Sequence, residues 1–396
     1  MRFTPARRIE KVPPSFLREI FKLIADPRII SFATGLPNPN LFPVEAFKAA
    51  TTKVLASTPK EALQYGTSTG LLDLRTIIAQ SYVTKDGIAV SPEDIIITNG
   101  SQQGLDLLGK VLIHEKDKIA VEVPTYLAAI QAFSVYEPTF VGVPLTKDGM
   151  DTDAFEEMMH VHKPKLLYTI PNFQNPTGIT TPTSTRERIA NVIDGTDTVL
   201  IEDDPYGEIR FEGERQKTYA SFTDQAVILG SFSKIVAPGL RLGWIVARDP
   251  KLYRHLETAK QAADLHTSTF VQHTVCQYYK DANSETHIHE IAAAYKEQRD
   301  VFIAALQMHF GERITYTKPE GGMFIWATFP AHIDTSKLFT IALEEGVAFV
   351  PGESFFTEAP QKNTMRLNFT NATPENIEKG VARLARAVAR YETAHS

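Results

Sequence analysis

A single cysteine, Cys276, stands among 396 residues. No intramolecular disulfide and no cysteine-cluster metal site can therefore form, which fits a reducing, cytoplasmic setting. By itself such a thiol is a small buried hydrophobe. No run approaches the roughly 18–20 apolar residues of a membrane span, and MRFTPARRIEKVPP lacks the apolar stretch of a secretory leader. Basic surplus is missing too. The 41 Lys and Arg against 47 Asp and Glu leave a formal charge of -6, which argues against nucleic acid or an anionic membrane as partner. The eleven histidines show no HExxH or comparable spacing. HTSTFVQH (266–273) and HIHE (287–290) are loose clusters, expected on helix faces or the surface rather than on a metal. Repeats and low-complexity tracts are absent.

What is present is a chain able to bury a large core, 43% hydrophobic and 22% charged, of a length that suggests two domains or one with an appendage. Short apolar runs rich in Val and Ile recur: IIIT at 95–98, IAVE at 119–122, FVGV at 140–143, LLYTI at 166–170, TVLIED at 198–203, VILGS at 227–231 and GWIVA at 243–247. Segments of helical character separate them. Near-continuous apolar strands covered on both faces predict a mainly parallel, seven-stranded sheet in an α/β layer. From about residue 288 the pattern changes. IAAAYKEQRDVFIAALQMHF (291–310) predicts a long amphipathic helix, followed by strand-like ITYT, MFIWATF and MRLNF and a final helix, a smaller α+β domain. SFLREIFKLI (15–24) has the pattern of an amphipathic helix. The expected division is an N-terminal segment at 1–45 that packs with the small domain, a large domain at 46–287 and a small domain at 288–396.

Ligands of open α/β sheets bind beyond the carboxyl ends of the strands. Five loops there carry polar groups: Ser101-Gln102, Pro124-Thr125-Tyr126, Asn172 to Gly178, Asp203 to Tyr206, and Ser231 to Lys234 in SFSKIVAPGLRLGW. Ser101 and Gln102 open a helix, whose free N–H groups and dipole favour an anion, although a serine there can be a plain cap. Ser231, Ser233 and Arg241 add the directed donors of a phosphate seat; alone, Arg241 could be a surface ion pair. Lys234, desolvated beside a fixed cation, is suited to condense with an aldehyde as a Schiff base. Asp203, at the end of a buried strand, is either a turn carboxylate or the partner of a protonated pyridine nitrogen. Tyr206 and Asn175 can hydrogen-bond a ring hydroxyl, and Tyr126 offers a face for stacking. An aldehyde, a pyridine nitrogen, a ring hydroxyl and a phosphate together describe pyridoxal 5′-phosphate.

On these residues, and on ISFATGLPNPNLFP, LQYGTSTGLLDLR, TNGSQQGLDLL, VEVPTY, PNFQNPTG, IEDDPYGEIRF, GGMFIW, VPGESF and NTMRLNF in that order, the chain resembles the fold-type I pyridoxal-phosphate aminotransferases of class I/II. The resemblance is to the branch of 2-aminoadipate, kynurenine, aromatic and branched-chain aminotransferases. It implies that Lys234 binds the cofactor and shuttles a proton, that Asp203 holds the pyridine nitrogen protonated, and that Asn175 and Tyr206 bind the ring oxygen while Tyr126 stacks on the ring. Ser101, Gln102, Ser231, Ser233 and Arg241 would hold the phosphate. Tyr65 would reach it from a partner subunit, making the active unit a homodimer, and Asn175-Pro176 is a candidate cis peptide. Arg366 would clamp the substrate carboxylate, its alternative being a strand-edge salt bridge. The loop Thr34-Gly35-Leu36-Pro37 would close over the substrate, with Thr34 where the family pattern has glycine, so that loop closure and substrate preference do not transfer directly. Arg18 would meet an acidic side chain or else be a solvated charge.

The implied reaction is ping-pong transamination between an L-amino acid and a 2-oxo acid such as 2-oxoglutarate. A C–S β-lyase or decarboxylase would share the fold and the cofactor residues. A transcription regulator built on this domain would need an N-terminal DNA-binding module of several dozen residues, for which the motif order, beginning by Arg18, leaves no expected space. The intact set of Lys234, Asp203 and Arg366 argues against a silent scaffold.

Overall fold

The computed structural model describes residues 3–10, 12 and 26–395; the helix expected over 15–24, with Arg18, lies outside the described residues. Strand β1 (Ile30–Ser31) belongs to a small sheet met below. The seven apolar runs become β2 (Ile95–Thr98), β3 (Lys118–Val123), β4 (Thr139–Thr146), β6 (Leu166–Thr169), β7 (Val199–Asp204), β8 (Ala226–Ser231) and β9 (Gly243–Val246). An eighth strand, the two-residue β5 (Gly149–Met150), folds back on β4. The sheet therefore has eight strands, in the order β2-β9-β8-β7-β6-β3-β4-β5, against the seven expected. Two residues, Gly and Met, carry no β-branched signal by which the hairpin could be read.

Strands β4, β3, β6, β7 and β8 pair in parallel, and β9 runs against both β8 and β2. β2, β6 and β8 are buried at every residue, as unbroken apolar runs require when helices cover both faces. β4 departs from that expectation, with only Val143 buried in eight residues. It lies next to the sheet edge, where only β5 follows.

Beyond the sheet, Asn283 caps a helix over Ser284–Phe310, its side chain accepting from the Thr286 N–H. The helix starts before the 291–310 segment read from periodicity, so the change of pattern near 288 falls inside it. Strands β10 (Thr315–Tyr316), β11 (Phe324–Thr328), β13 (Val350–Pro351) and β14 (Thr364–Asn368) then form an antiparallel sheet in the order β10-β11-β14-β13. Strand β12 (Val347–Ala348) pairs in parallel with β1, and the helix Pro374–His395 ends the chain. Phe32 N–H donates to the Ala348 carbonyl and Asn368 N–H to the Phe32 carbonyl. The chain after β1 is thereby zipped to the second sheet, which carries residues 33–37 towards the strand ends of the first.

Candidate active site

Direction explains the convergence of the polar loops. β2, β3, β6, β7 and β8 all end at one edge of the sheet. β9 runs the opposite way between β8 and β2, so its first residue, Gly243, pairs with Ser231 on one side and Thr98 on the other. Arg241, two residues earlier, reaches the same edge. Glycine is required at 243, because a Cβ there would lie 2.7 Å from the Gly230 carbonyl oxygen and 2.8 Å from the Ser101 nitrogen.

This corner gathers the residues expected to seat an anion. Gly100, at φ +72°, turns the chain into the helix Ser101–Leu112 and is its cap, with no side-chain cap bond. Ser101 is thus the first helical residue, and its hydroxyl does not cap. The Arg241 guanidinium lies over the turn, its Nη2 3.5 Å from the Asn99 carbonyl oxygen and 2.9 Å from where a Gly100 Cβ would be. Ser231 Oγ accepts from the Ser233 N–H at 3.1 Å, which fixes both serines at the end of β8. Gln102 Nε2 donates to the Ala128 carbonyl at 3.3 Å, joining this helix to the one that follows Tyr126.

Lys234 is half-buried and donates from Nζ to the Gly35 carbonyl at 2.7 Å. Burial, and then the positive charges of Arg366 and Arg241, pull its amine down to about 8. Asp203, buried at the end of β7, has one oxygen satisfied. Tyr168 donates its hydroxyl to Oδ2 at 2.8 Å, while Oδ1 has no partner. Burial, with the nearby charge of Asp204, pushes this carboxyl up to about 7 against the opposing effect of the tyrosine bond. A buried acceptor left open in this way fits a protonated ring nitrogen, whose charge would also hold the carboxylate ionised.

Asn175 joins the two halves of the site. Its Nδ2 stands 3.4 Å from the Tyr206 hydroxyl, and its Oδ1 accepts from Arg366 Nη1 at 2.9 Å. The bonds Val123–Pro124 and Asn175–Pro176 are both cis. Tyr126 lies between these loops, its phenol pushed up to about 12 by burial and then by the charge of Asp203. Arg366 is not at a strand edge, since β14 is flanked by β11 and β13, with Trp326 and Val350 as its register neighbours. Its Nη2 donates to the Ala33 carbonyl at 2.8 Å, and its guanidinium carbon sits 4.3 Å from the Phe324 ring centre and 5.1 Å from that of Phe355. Burial draws it down to about 10, and Nε is left without a partner.

Among the substrate-loop residues, Gly35 contributes the carbonyl that meets Lys234 and would place a Cβ 3.2 Å from the Phe324 ring. Leu36 is exposed, while Thr34 is buried with its hydroxyl unpaired. Tyr65 does not join this site. It is 78% exposed and meets His266 edge-on at 5.6 Å. Arg18 lies outside the described residues. Sequence reading missed Tyr168, hidden in the apolar run LLYT, and the two phenylalanines on Arg366. The signal for Tyr168 was register, because it pairs with Ile201, two residues before Asp203 on the same face of β7.

A family profile described as aminotransferase class I and II matches residues 27–384. The chain is 45% identical over 381 residues to an aromatic-amino-acid aminotransferase of Thermococcus litoralis, covering 94% of this chain and 91% of that one. It is 40% identical over 383 residues to a 2-aminoadipate transaminase of Thermus thermophilus, covering 96% and 94%. The crystal structure of a kynurenine aminotransferase from Pyrococcus horikoshii, in complex with PMP, superposes with a TM-score of 0.93 at 41% identity, covering 98% of this chain and 97% of that one.

Proposed function

The chain belongs to the class I and II aminotransferases, and from that premise we propose which of its residues run the reaction. It is a pyridoxal-phosphate enzyme that transfers an amino group from an amino acid to a 2-oxo acid. The observation that carries the residue assignment is Lys234: an amine three residues beyond β8 that donates to the Gly35 carbonyl at 2.7 Å, drawn down to about 8 by burial and then by the charges of Arg366 and Arg241. Bound in this site, the cofactor supplies an aldehyde carbon that captures the amino group and a ring that accepts the electron pair left when the Cα proton departs.

Ser101, Gln102, Ser231, Ser233 and Arg241 hold the phosphate in this reading. Asp203 accepts from the ring nitrogen at Oδ1, and the Tyr168 hydroxyl keeps the carboxylate turned to it. Asn175 and Tyr206 face the ring oxygen, and Tyr126 covers the ring face. Arg366 pairs with the substrate carboxylate, its open Nε being the donor still to be satisfied. Lys234 Nζ would take the substrate's Cα proton and deliver it to the cofactor's aldehyde-derived carbon, a role its lowered affinity for protons suits near neutral pH. Gly35 and Leu36 exclude water from above. The site is read as lying between a large domain at 46–287 and a smaller one at 288–396, with 1–45 as the covering segment. Exposed Tyr65 supports a homodimer in which this residue completes the partner's phosphate seat. The buried single cysteine suits a cytoplasmic setting.

The donors are aromatic, branched-chain or 2-aminoadipate-like amino acids and the acceptor 2-oxoglutarate. Half-reactions test this reading. Each donor should release one equivalent of 2-oxo acid per site and leave a stable pyridoxamine form, and borohydride should label Lys234 alone. A β-lyase or decarboxylase would instead release its product without accumulating that form. Arg18→Ala should depress acidic donors far more than leucine or phenylalanine; equal losses remove Arg18 from substrate selection.

A further inference from the structure

Behind the turn that opens the phosphate seat lies a charged pair that the reaction does not use. The helix Pro250–Asp264 places Lys260 and Asp264 on one face, four residues apart. Lys260 is completely buried, and its ammonium spends all its donors: 3.0 Å to each Asp264 carboxylate oxygen, 3.0 Å to Thr267 Oγ1 and 3.1 Å to Gln103 Oε1. Asp264 Oδ2 also accepts from Asn99 Nδ2 at 2.6 Å and Gln103 Nε2 at 2.8 Å, while Gln103 Oε1 takes the Asn99 N–H at 2.8 Å. Asn99 is therefore pinned at both its side chain and its backbone nitrogen. It immediately precedes Gly100 and Ser101, and its carbonyl faces Arg241.

We propose that Lys260 and Asp264 are positioning residues for the cofactor phosphate, an ion pair with its lysine fully buried that acts through Asn99 and Gln103 to fix the turn presenting Gly100, Ser101 and Arg241. The proposal rests on the reading of those residues as the phosphate seat. Its physical basis is that a buried ammonium holds geometry when its donors are matched, and here the matching groups include Gln103 of the helix that the turn opens, while Asp264 takes the side chain of Asn99 in the turn itself. Asp264 leads through Leu265, at φ +65°, to His266, the ring on which Tyr65 rests.

Phosphate-specific binding separates positioning from plain stability. The full chain, stripped of cofactor, is titrated with pyridoxal 5′-phosphate and with pyridoxal, which lacks the phosphate. Asp264→Asn and Asn99→Ala should each weaken the phosphorylated ligand by about tenfold, as expected for losing a hydrogen bond to a charged group, and leave pyridoxal binding unchanged. Asn99→Ala keeps the ion pair intact, so it decides the matter if Asp264→Asn does not fold. Equal weakening of both ligands, or of neither, overturns the proposal. Arg241→Gln is the control. If it loses phosphate-specific affinity and Asn99→Ala does not, the positioning role alone falls; if Arg241→Gln is also unaffected, the phosphate seat and its positioning fall together.

Discussion

Asp203 shows how one residue can be shaped for a partner. Its carboxyl, raised to about 7 by burial, binds a proton more tightly in the folded chain than the ordinary value near 4 would allow. Between those two values the native state holds more protons than the unfolded one, so this group's contribution falls as pH rises through the window. Cofactor-free Asp203→Asn, which removes the charge, should therefore be more heat-stable than cofactor-free wild type at pH 8, with the gap narrowing as pH falls below about 7 and closing near pH 4 in a thermal scan. Lys234 titrates with the opposite consequence for reactivity. Its amine becomes a nucleophile above about 8, so the rate of reconstitution with pyridoxal 5′-phosphate should climb through that pH. A rate that is flat from pH 6 to 9 contradicts the assignment. Both residues were legible in the sequence, because a lysine and an aspartate at the ends of apolar strands are conspicuous. Tyr168 was not, since a tyrosine among Leu and Thr residues is ordinary until the register of two strands brings it to a carboxylate.

At the scale of elements, what holds the loops is a second buried acid. Glu122 in β3 accepts from Thr169 Oγ1 at 2.6 Å, Gln174 Nε2 at 3.0 Å and the Ile170 N–H at 3.3 Å. Gln174 also donates to the Pro124 carbonyl at 2.8 Å. The end of β3, the end of β6 and the loop carrying Asn175 thus meet on one carboxylate. Glu122→Ala should destabilise the fold by roughly 1–3 kcal/mol for each buried donor it strands, whereas Glu122→Gln, which keeps an acceptor oxygen and lets the Thr169 hydroxyl reverse, should lose much less in chemical denaturation. Gly243→Ala should weaken cofactor binding, because its Cβ would press on the backbone of both Gly230 and Ser101; unchanged affinity would show that the corner can yield. Periodicity located the seven longer strands of the large sheet, β10, β11 and β14 of the small one, and the polar loops. It could not locate β1, β5, β12 or β13, each two residues long and formed only where a neighbour supplies the pairing.

For the whole molecule, the decisive residue faces outward. Tyr65 is exposed, at 78%, as are Leu63 at 70% and Leu72 at 52% nearby in sequence. Tyr65→Ala should lower affinity for pyridoxal 5′-phosphate by about tenfold although the residue lies away from its own chain's site. Retained affinity, or a monomeric mass in active protein, rejects a shared site. The amino-acid sequence by itself determined the class of fold, the strand ends that would carry chemistry and the residue types gathered there, because apolar periodicity and the need of a buried charge for a partner are local properties. Only the tertiary structure decided that Asp203 keeps one oxygen open, that Arg366 stacks between two phenylalanines in a central strand, and that Lys260 and Asp264 bond to Gln103 and Asn99 at the turn before Gly100. Those depend on sheet order and on register between segments far apart in the chain, and a contact of that kind exists only once the backbone has closed around it.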